Sequence, residues 1–186
     1  MIPNFMTTYQ CCSRKNILRG TSMIRKSRPE DASRMADIQV FGWRYAYRTI
    51  VDDRILFSKL NIEKKAQSIR KTIENDTEEW LVFEEDEIIK GIMVIGRSRD
   101  EDKKDSFELW CIYVDPLMMR QGVGREMLEY CENEARRRGY RENSLWVLER
   151  NTIGKNFYEK NGYVADGKRQ ELEKLHAYEI RYCKQL

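Results

Sequence analysis

The sequence predicts one mixed α/β domain whose sheet is not fully parallel, and three observations carry that expectation. Runs of strand-forming residues alternate with segments of helical periodicity. Two of the runs, Trp80-Leu81-Val82-Phe83 and residues 88–95, are separated only by the acidic stretch 84–87, the pattern of an antiparallel hairpin. A third, Phe107-Glu108-Leu109-Trp110-Cys111-Ile112-Tyr113-Val114, is nearly unbroken in its apolar character and is expected to be buried on both faces. It stops at Asp115-Pro116, because proline cannot continue a central ladder.

Ile24-Arg25-Lys26 reads as a first strand. From Arg28-Pro29-Glu30-Asp31 onward, Met35, Ile38, Gly42 and Ala46 recur at steps of three and four, which marks one face of a helix opened by an acidic first turn. Trp43, Tyr45 and Tyr47 gather at its end. A second, charged helix is expected over 61–75, then the hairpin, then a charged loop over 97–105 and the apolar strand. After the break at Asp115-Pro116, Gly124, Met127, Leu128, Cys131 and Ala135 keep helical spacing, and Gly139 lies just past Arg136 to Arg138, where cations and glycine suit a helix end. Residues 144–148 read as a strand, 152–160 as a short helix stopped at Asn161-Gly162, and 177–183 as a last strand.

Length and composition narrow the function classes. The 186 residues and 41% hydrophobic fraction suit one domain with one continuous core. Lys plus Arg total 34 against 31 Asp plus Glu, and a net charge of +3 is too small to make nucleic acid the main partner. No run of about 18 apolar residues occurs, so no membrane partner is expected. Five cysteines without a C-x-x-C spacing, beside a single His, argue against a zinc site or a disulfide framework, and no metal is expected. The cytoplasm is the simplest compartment. Residues 1–22 contain Arg14, Lys15 and Arg19 but no signal-peptide core. They are read either as a loosely tied extension of a domain spanning 23–186, or as preceding a natural start at Met23.

The break after Val114, between a buried strand and a glycine-started helix, is the natural crevice. Helix N-termini expose unpaired N–H groups and partial positive charge, so Arg120-Gln121-Gly122-Val123-Gly124-Arg125 has the form of an anion-holding turn. By itself it is equally a turn with a helix-starting glycine. There is no Gly-Lys-Ser/Thr for a nucleoside triphosphate and no G-x-G-x-x-G for a dinucleotide.

The company of this turn is more specific. Ile112-Tyr113-Val114-Asp115-Pro116, Met119-Arg120-Gln121-Gly122-Val123-Gly124, Leu145-Trp146-Val147-Leu148-Glu149-Arg150-Asn151 and Phe157-Tyr158-Glu159-Lys160-Asn161-Gly162-Tyr163 together resemble the GNAT acetyltransferase superfamily in order and spacing. The resemblance covers residues 23–186. It implies a mostly antiparallel central sheet with a splayed strand pair and helices on both faces, acetyl-coenzyme A as cofactor, and transfer of its acetyl group to an amine in a ternary complex.

Carried over residue by residue, the resemblance implies that Ile112-Tyr113-Val114 runs along the pantetheine arm, with Ile112 and Val114 offering backbone groups. Amides from Arg120 to Arg125 would hold the pyrophosphate. Met119 stands where the family usually has Gln or Arg, so a side-chain contact there is missing or is supplied by Arg120. Asn151 would hydrogen-bond the arm from the far strand, Phe157 would pack beside it, and Tyr158 would lie near the sulfur as the acid. A backbone N–H near Val114 would meet the oxyanion.

The general base is open between Glu108 and Glu149, each also readable as a solvated carboxylate. Trp43 and Tyr47 are candidates for lining the acceptor pocket, or simply for packing, and Asp52 and Asp53 for attracting a cationic amine. His176 reads as a surface residue and Cys111 as an inert buried thiol. The acceptor, a small amine or a protein amine, is not specified, and neither is the interface of the homodimer common in similar proteins. The competing reading is a non-catalytic acyl-coenzyme A sensor of the same fold. An RNA-binding reading, resting on Lys and Arg richness alone, ranks last.

Overall fold

The computed structural model describes residues 21–186. The elements are β1 (Ser22–Lys26), α1 (Ala32–Tyr47), α2 (Ile62–Glu74), β2 (Glu79–Glu85), β3 (Ile88–Arg97), β4 (Phe107–Val114), α3 (Val123–Arg137), β5 (Glu142–Leu148), α4 (Thr152–Lys160), β6 (Val164–Leu172) and β7 (Ala177–Gln185). The expected hairpin is β2–β3, closed by Asp86 and Glu87, both at positive φ. That is the two-residue turn whose twist matches antiparallel strands. Residues 1–20, with Cys11, Cys12 and nearly all of the expected N-terminal extension, lie outside the described residues. The first strand starts at Ser22, one residue before Met23.

The strands form one seven-stranded sheet in the order β1-β2-β3-β4-β5-β7-β6. Every neighbouring pair is antiparallel except β4–β5, which α3 joins as a parallel crossover. Leu81, Met93, Leu109, Leu145 and Val147 pack with Met127, Leu128 and Cys131 of α3 on one face. On the other face Val82, Ile92 and Val94 pack with Met35, Ile38 and Ile69 from α1 and α2. A smaller cluster of Val51, Leu56, Leu148 and Ala177 with Trp43 and Tyr47 closes the end of the α1 face. No helix among the described residues is long and apolar enough to cross a membrane.

Two features of β4 shape the opening beside it. First, its register with β3 shifts, with Val94 opposite Cys111 and Ile95 opposite Leu109, so Trp110 is an inserted residue. Such a bulge reverses which face the side chains take: Phe107 and Leu109 pack toward α3, while Trp110, Cys111 and Tyr113 pack toward α1 and α2. Second, β4 and β5 pair only from Phe107 to Leu109 with Asn143 to Leu145 and then part. The expectation that β4 is buried on both faces therefore holds to Leu109 and fails beyond it, where Trp110 to Val114 are half-buried at the opening.

Two further elements were not expected. Ile55–Lys59 forms a π-helical turn, tied to α1 where Arg44 donates to the carbonyls of Leu56 (3.0 Å) and Leu60 (3.3 Å). β6 is an edge strand exposed along almost its whole length, so it carries no inward apolar alternation for sequence reading to find.

Candidate active site

The gap between β4 and β5 is the structural origin of the site. Beyond Leu109 the β5-side edge of β4 has no strand partner among the described residues, although Tyr113 and Ile112 still pair with Ile92 and Met93 on the other side. The backbone groups of 110–114 on that edge are thus open to an extended, amide-bearing ligand.

At the end of β4 the Asp115 carboxylate accepts from the Leu117 amide (2.8 Å) and from Arg34 (2.5 Å), which sets the direction of the following turn. Arg120 has φ of 63° and Gly122 φ of 94°. Gly122 is the residue immediately before α3, and its left-handed backbone is what requires glycine. Among the described residues the amides of Val123, Gly124 and Arg125 have no partner, as expected of a first helical turn. Among the described residues Gly122 is open, with only a Glu126 carboxylate oxygen within 4 Å of where its Cβ would lie, at 3.7 Å. The Cβ of a residue replacing Gly124 would lie 3.5 Å from Phe157 and 3.6 Å from Val114, so α3, α4 and β4 converge here. Met119 is half-buried, Arg120 and Gln121 are exposed, and Arg125 pairs with Glu129 at 2.8 Å.

On the far side of the gap Asn151 caps α4. Its side-chain oxygen accepts from the Gly154 amide at 3.1 Å, and its own amide N–H donates to the Leu148 carbonyl at 2.8 Å. Its side-chain NH₂ has no acceptor among the described residues and remains available as a donor. Tyr158 is the buried residue of α4, with ring centroids 5.3 Å from Phe157 and 6.0 Å from Tyr163. Burial pushes its phenol well above the ordinary value, and the neighbouring Tyr47, Cys111 and Cys131 add to this. Those three neighbours lie on both sides of the sheet, which is consistent with a hydroxyl in the gap between β4 and β5. That hydroxyl has no hydrogen-bond partner among the described residues.

The α1 side of the gap is aromatic. Trp43 donates to the Tyr113 hydroxyl at 2.8 Å and meets Tyr47 edge to face at 5.4 Å. Burial pushes the Tyr47 phenol up to about 12, and its contact with Tyr113 pulls the other way. The Tyr113 ring lies over Gly42, 3.3 Å from where a Cβ would sit. Its side chain therefore points away from the glycine turn, and only its backbone can serve a ligand in the gap.

The carboxylates proposed as bases sit differently. Glu108 is fully buried, and its carboxylate accepts from the Arg99 amide (2.8 Å) and Nε (3.1 Å) and from Arg99 Nη2. It holds the loop after β3 and is not a free base. Glu149 is half-buried and bridges Arg169 at 3.0 Å, which keeps its carboxyl below the usual range. Asp52 pairs with Arg54 at 3.1 Å and Asp53 is exposed. His176 is exposed in a left-handed turn, and burial pushes the Cys111 thiol up to about 12.

Sequence reasoning missed Glu179. It lies opposite Leu148 in the β5–β7 register, half-buried on the α1 face, while Ile180 and Tyr182 face α3. The alternation in Tyr178-Glu179-Ile180-Arg181-Tyr182 was the available signal.

Comparison with known proteins agrees with this geometry. Residues 76–165 match the family model described as an acetyltransferase (GNAT) domain. An uncharacterized N-acetyltransferase, YuaI of Bacillus subtilis, is 25% identical over 132 residues, which is 69% of this chain and 72% of that protein. Among solved structures, the PaiA N-acetyltransferase of Thermoplasma acidophilum in complex with coenzyme A superposes with a TM-score of 0.72 at 19% identity, covering 89% of this chain and 99% of that one. The putative acetyltransferase yncA of Salmonella typhimurium, solved with its cofactor acetyl-coenzyme A, gives 0.62 at 17% identity over 89% and 94%.

Proposed function

The chain belongs to the GNAT acetyltransferase superfamily, and from that premise we propose that it transfers acetyl from acetyl-coenzyme A to a cationic amine within the gap between β4 and β5. The observation that carries this reading is the parting of a parallel strand pair directly above a left-handed glycine turn whose helix amides lack partners. The donor set fits the ligand. A pyrophosphate suits the amides of residues 122–125 and the exposed Arg120, and an amide-bearing arm suits the open edge of β4 and the Asn151 NH₂.

Acetyl-coenzyme A supplies an activated acetyl thioester. The open backbone edge of β4 orients it and aims N–H groups near Val114 at the thioester oxygen. Asn151 fixes the arm from the other side, and Phe157 covers it. Tyr158, kept neutral by burial, holds its proton near the sulfur and serves as the acid. Trp43 and Tyr47 line the acceptor side. A reducing compartment such as the cytoplasm suits the free Cys111, Cys131 and Cys183.

Thermal unfolding tests the donor. At about 100 times its dissociation constant acetyl-coenzyme A adds roughly 2.7 kcal/mol, and adenosine diphosphate, lacking the arm, adds far less. No shift at saturation overturns the reading. One observation favours a non-catalytic acyl-coenzyme A binder instead: Glu108 is sealed by Arg99. Stabilisation by acetyl-coenzyme A without release of free thiol in the presence of any amine would decide for it.

A further inference from the structure

Glu179 occupies a position that the proposed reaction needs filled. Its partner across the strands, Leu148, belongs to the cluster that holds Trp43 and Tyr47, so the carboxylate stands on the acceptor face beside the gap. The charges that act on it, Arg99, Glu108 and Asp100, are themselves paired. Arg99 closes on Glu108. Arg181 is taken up by Asp100, Asp102 and Asp166 at 3.0, 2.8 and 2.7 Å. Glu179 has no cationic partner among the described residues, only the Gln170 side-chain N–H at 2.6 Å on one oxygen. A half-buried carboxylate with an idle oxygen and no counter-ion is costly unless a cation arrives.

The geometry points to Glu179 as the residue that receives the acceptor's ammonium and takes its first proton. This rests on the acetyl-transfer reading. The acceptor enters as R–NH₃⁺, with one N–H on the idle Glu179 oxygen, directly or through one water. That proton moves to Glu179, leaving a neutral amine. The nitrogen lone pair forms the C–N bond as the C–S bond breaks. Tyr158 gives its proton to the sulfur and is restored by the second proton lost from nitrogen. The products are the acetamide and the free thiol, and Glu179 releases its proton to solvent.

Burial, together with the negative charges of Glu108 and Asp100, pushes the Glu179 carboxyl above its ordinary value, against the Gln170 hydrogen bond and Arg99. Among the described residues Tyr47, Tyr113, Cys111, Arg99 and Arg181 on this face keep one charge state near neutrality, and Glu108 and Asp100 are ion-paired with Arg99 and Arg181. The acid limb of the pH profile therefore belongs to Glu179, with activity falling as pH drops through its raised value.

The test uses 1,4-diaminobutane, phenethylamine and lysine amide as acceptors, with wild type, Glu179→Gln and Glu179→Asp. Free-thiol release is followed from about pH 5 to pH 9, and amine affinity is measured on the coenzyme A-loaded protein. The expected result for Glu179→Gln is a fall in kcat of about 100-fold or more, loss of the acid limb and weaker amine binding. Stabilisation by acetyl-coenzyme A should be unchanged. Glu179→Asp, which keeps the carboxylate, should retain the acid limb at reduced kcat. Wild-type rates, pH profile and amine binding in Glu179→Gln would overturn the role of Glu179 and leave the transferase reading standing. The role of Glu179 is overturned equally if the loaded wild type neither binds nor acetylates any of the three amines. Failure of acetyl-coenzyme A to stabilise the wild type would overturn both.

Discussion

Tyr158 is the side chain on which the proposed acid step depends. Its ring contributes to the core, while its hydroxyl, which has no hydrogen-bond partner among the described residues, is not fully enclosed as the neighbouring Tyr163 hydroxyl is. Tyr158→Phe keeps the ring packing and removes a hydroxyl that makes no bond within the described residues, so stability in urea should change by less than about 0.5 kcal/mol. It should lower kcat about 100-fold with little change in acetyl-coenzyme A affinity. A lower stability with full turnover would reverse the assignment. Tyr158 was open to nomination from the sequence because the whole helix 152–160 carries a recognisable pattern. Glu179 was not, because what distinguishes it is the lack of a counter-ion, and pairing across strands such as Arg99 with Glu108 is invisible before the loop after β3 is placed. For the same reason Glu108 read as a candidate base.

At the scale of the element, the first turn of α3 combines an open anion site with an acid of its own. Glu126 lies in that turn, where a carboxylate favours the helix by about 0.3–1 kcal/mol, but its oxygen is also 3.7 Å from where a Gly122 Cβ would be. Glu126→Gln should therefore move two quantities in opposite directions. The unliganded protein loses a few tenths of a kcal/mol, and acetyl-coenzyme A binds more tightly, most visibly at low salt. Calorimetric titration at two ionic strengths beside thermal unfolding checks this, and parallel changes would place the phosphates elsewhere. Gly122→Asp should abolish binding, since it adds both a strained left-handed side chain and a negative charge; unchanged affinity would show the turn to be misassigned. The helix and its glycines were readable from spacing and end signals. The bulge at Trp110 was not, because an almost continuous apolar run offers no polar residue to reveal that the alternation has reversed. β6 failed for the opposite reason, having no apolar face at all.

Across the whole molecule, Arg181 joins segments far apart in the chain. From the middle of β7 it bonds Asp100 and Asp102 in the loop after β3 and Asp166 in β6, while Trp146 of β5 donates to the same Asp100 at 3.0 Å. Arg181 thus faces three carboxylates, with Lys168 a second cation 3.5 Å from Asp102, and the arrangement fixes the wall beside Glu179. Arg181 holds the Asp102 carboxyl well below its usual range by direct hydrogen bonds. At Asp166, burial pushes upward, but bonds from the Lys168 amide and Arg181 outweigh it. Carboxyls depressed in the folded state contribute stability above the ordinary aspartate value near 4 and lose it as pH falls through the depressed values. The wild type should therefore be flat from about pH 7 to pH 5 on their account. Arg181→Met keeps the stem but leaves Asp100, Asp102 and Asp166 facing one another with Lys168 as the remaining cation, 3.5 Å from Asp102, and should lower stability at neutral pH. Their folded values then rise above the unfolded ones, so the folded state binds more protons and this variant gains stability between pH 7 and pH 5. Urea unfolding of both proteins at the two pH values measures the contrast, and parallel curves would mean that the guanidinium is not what holds this wall together.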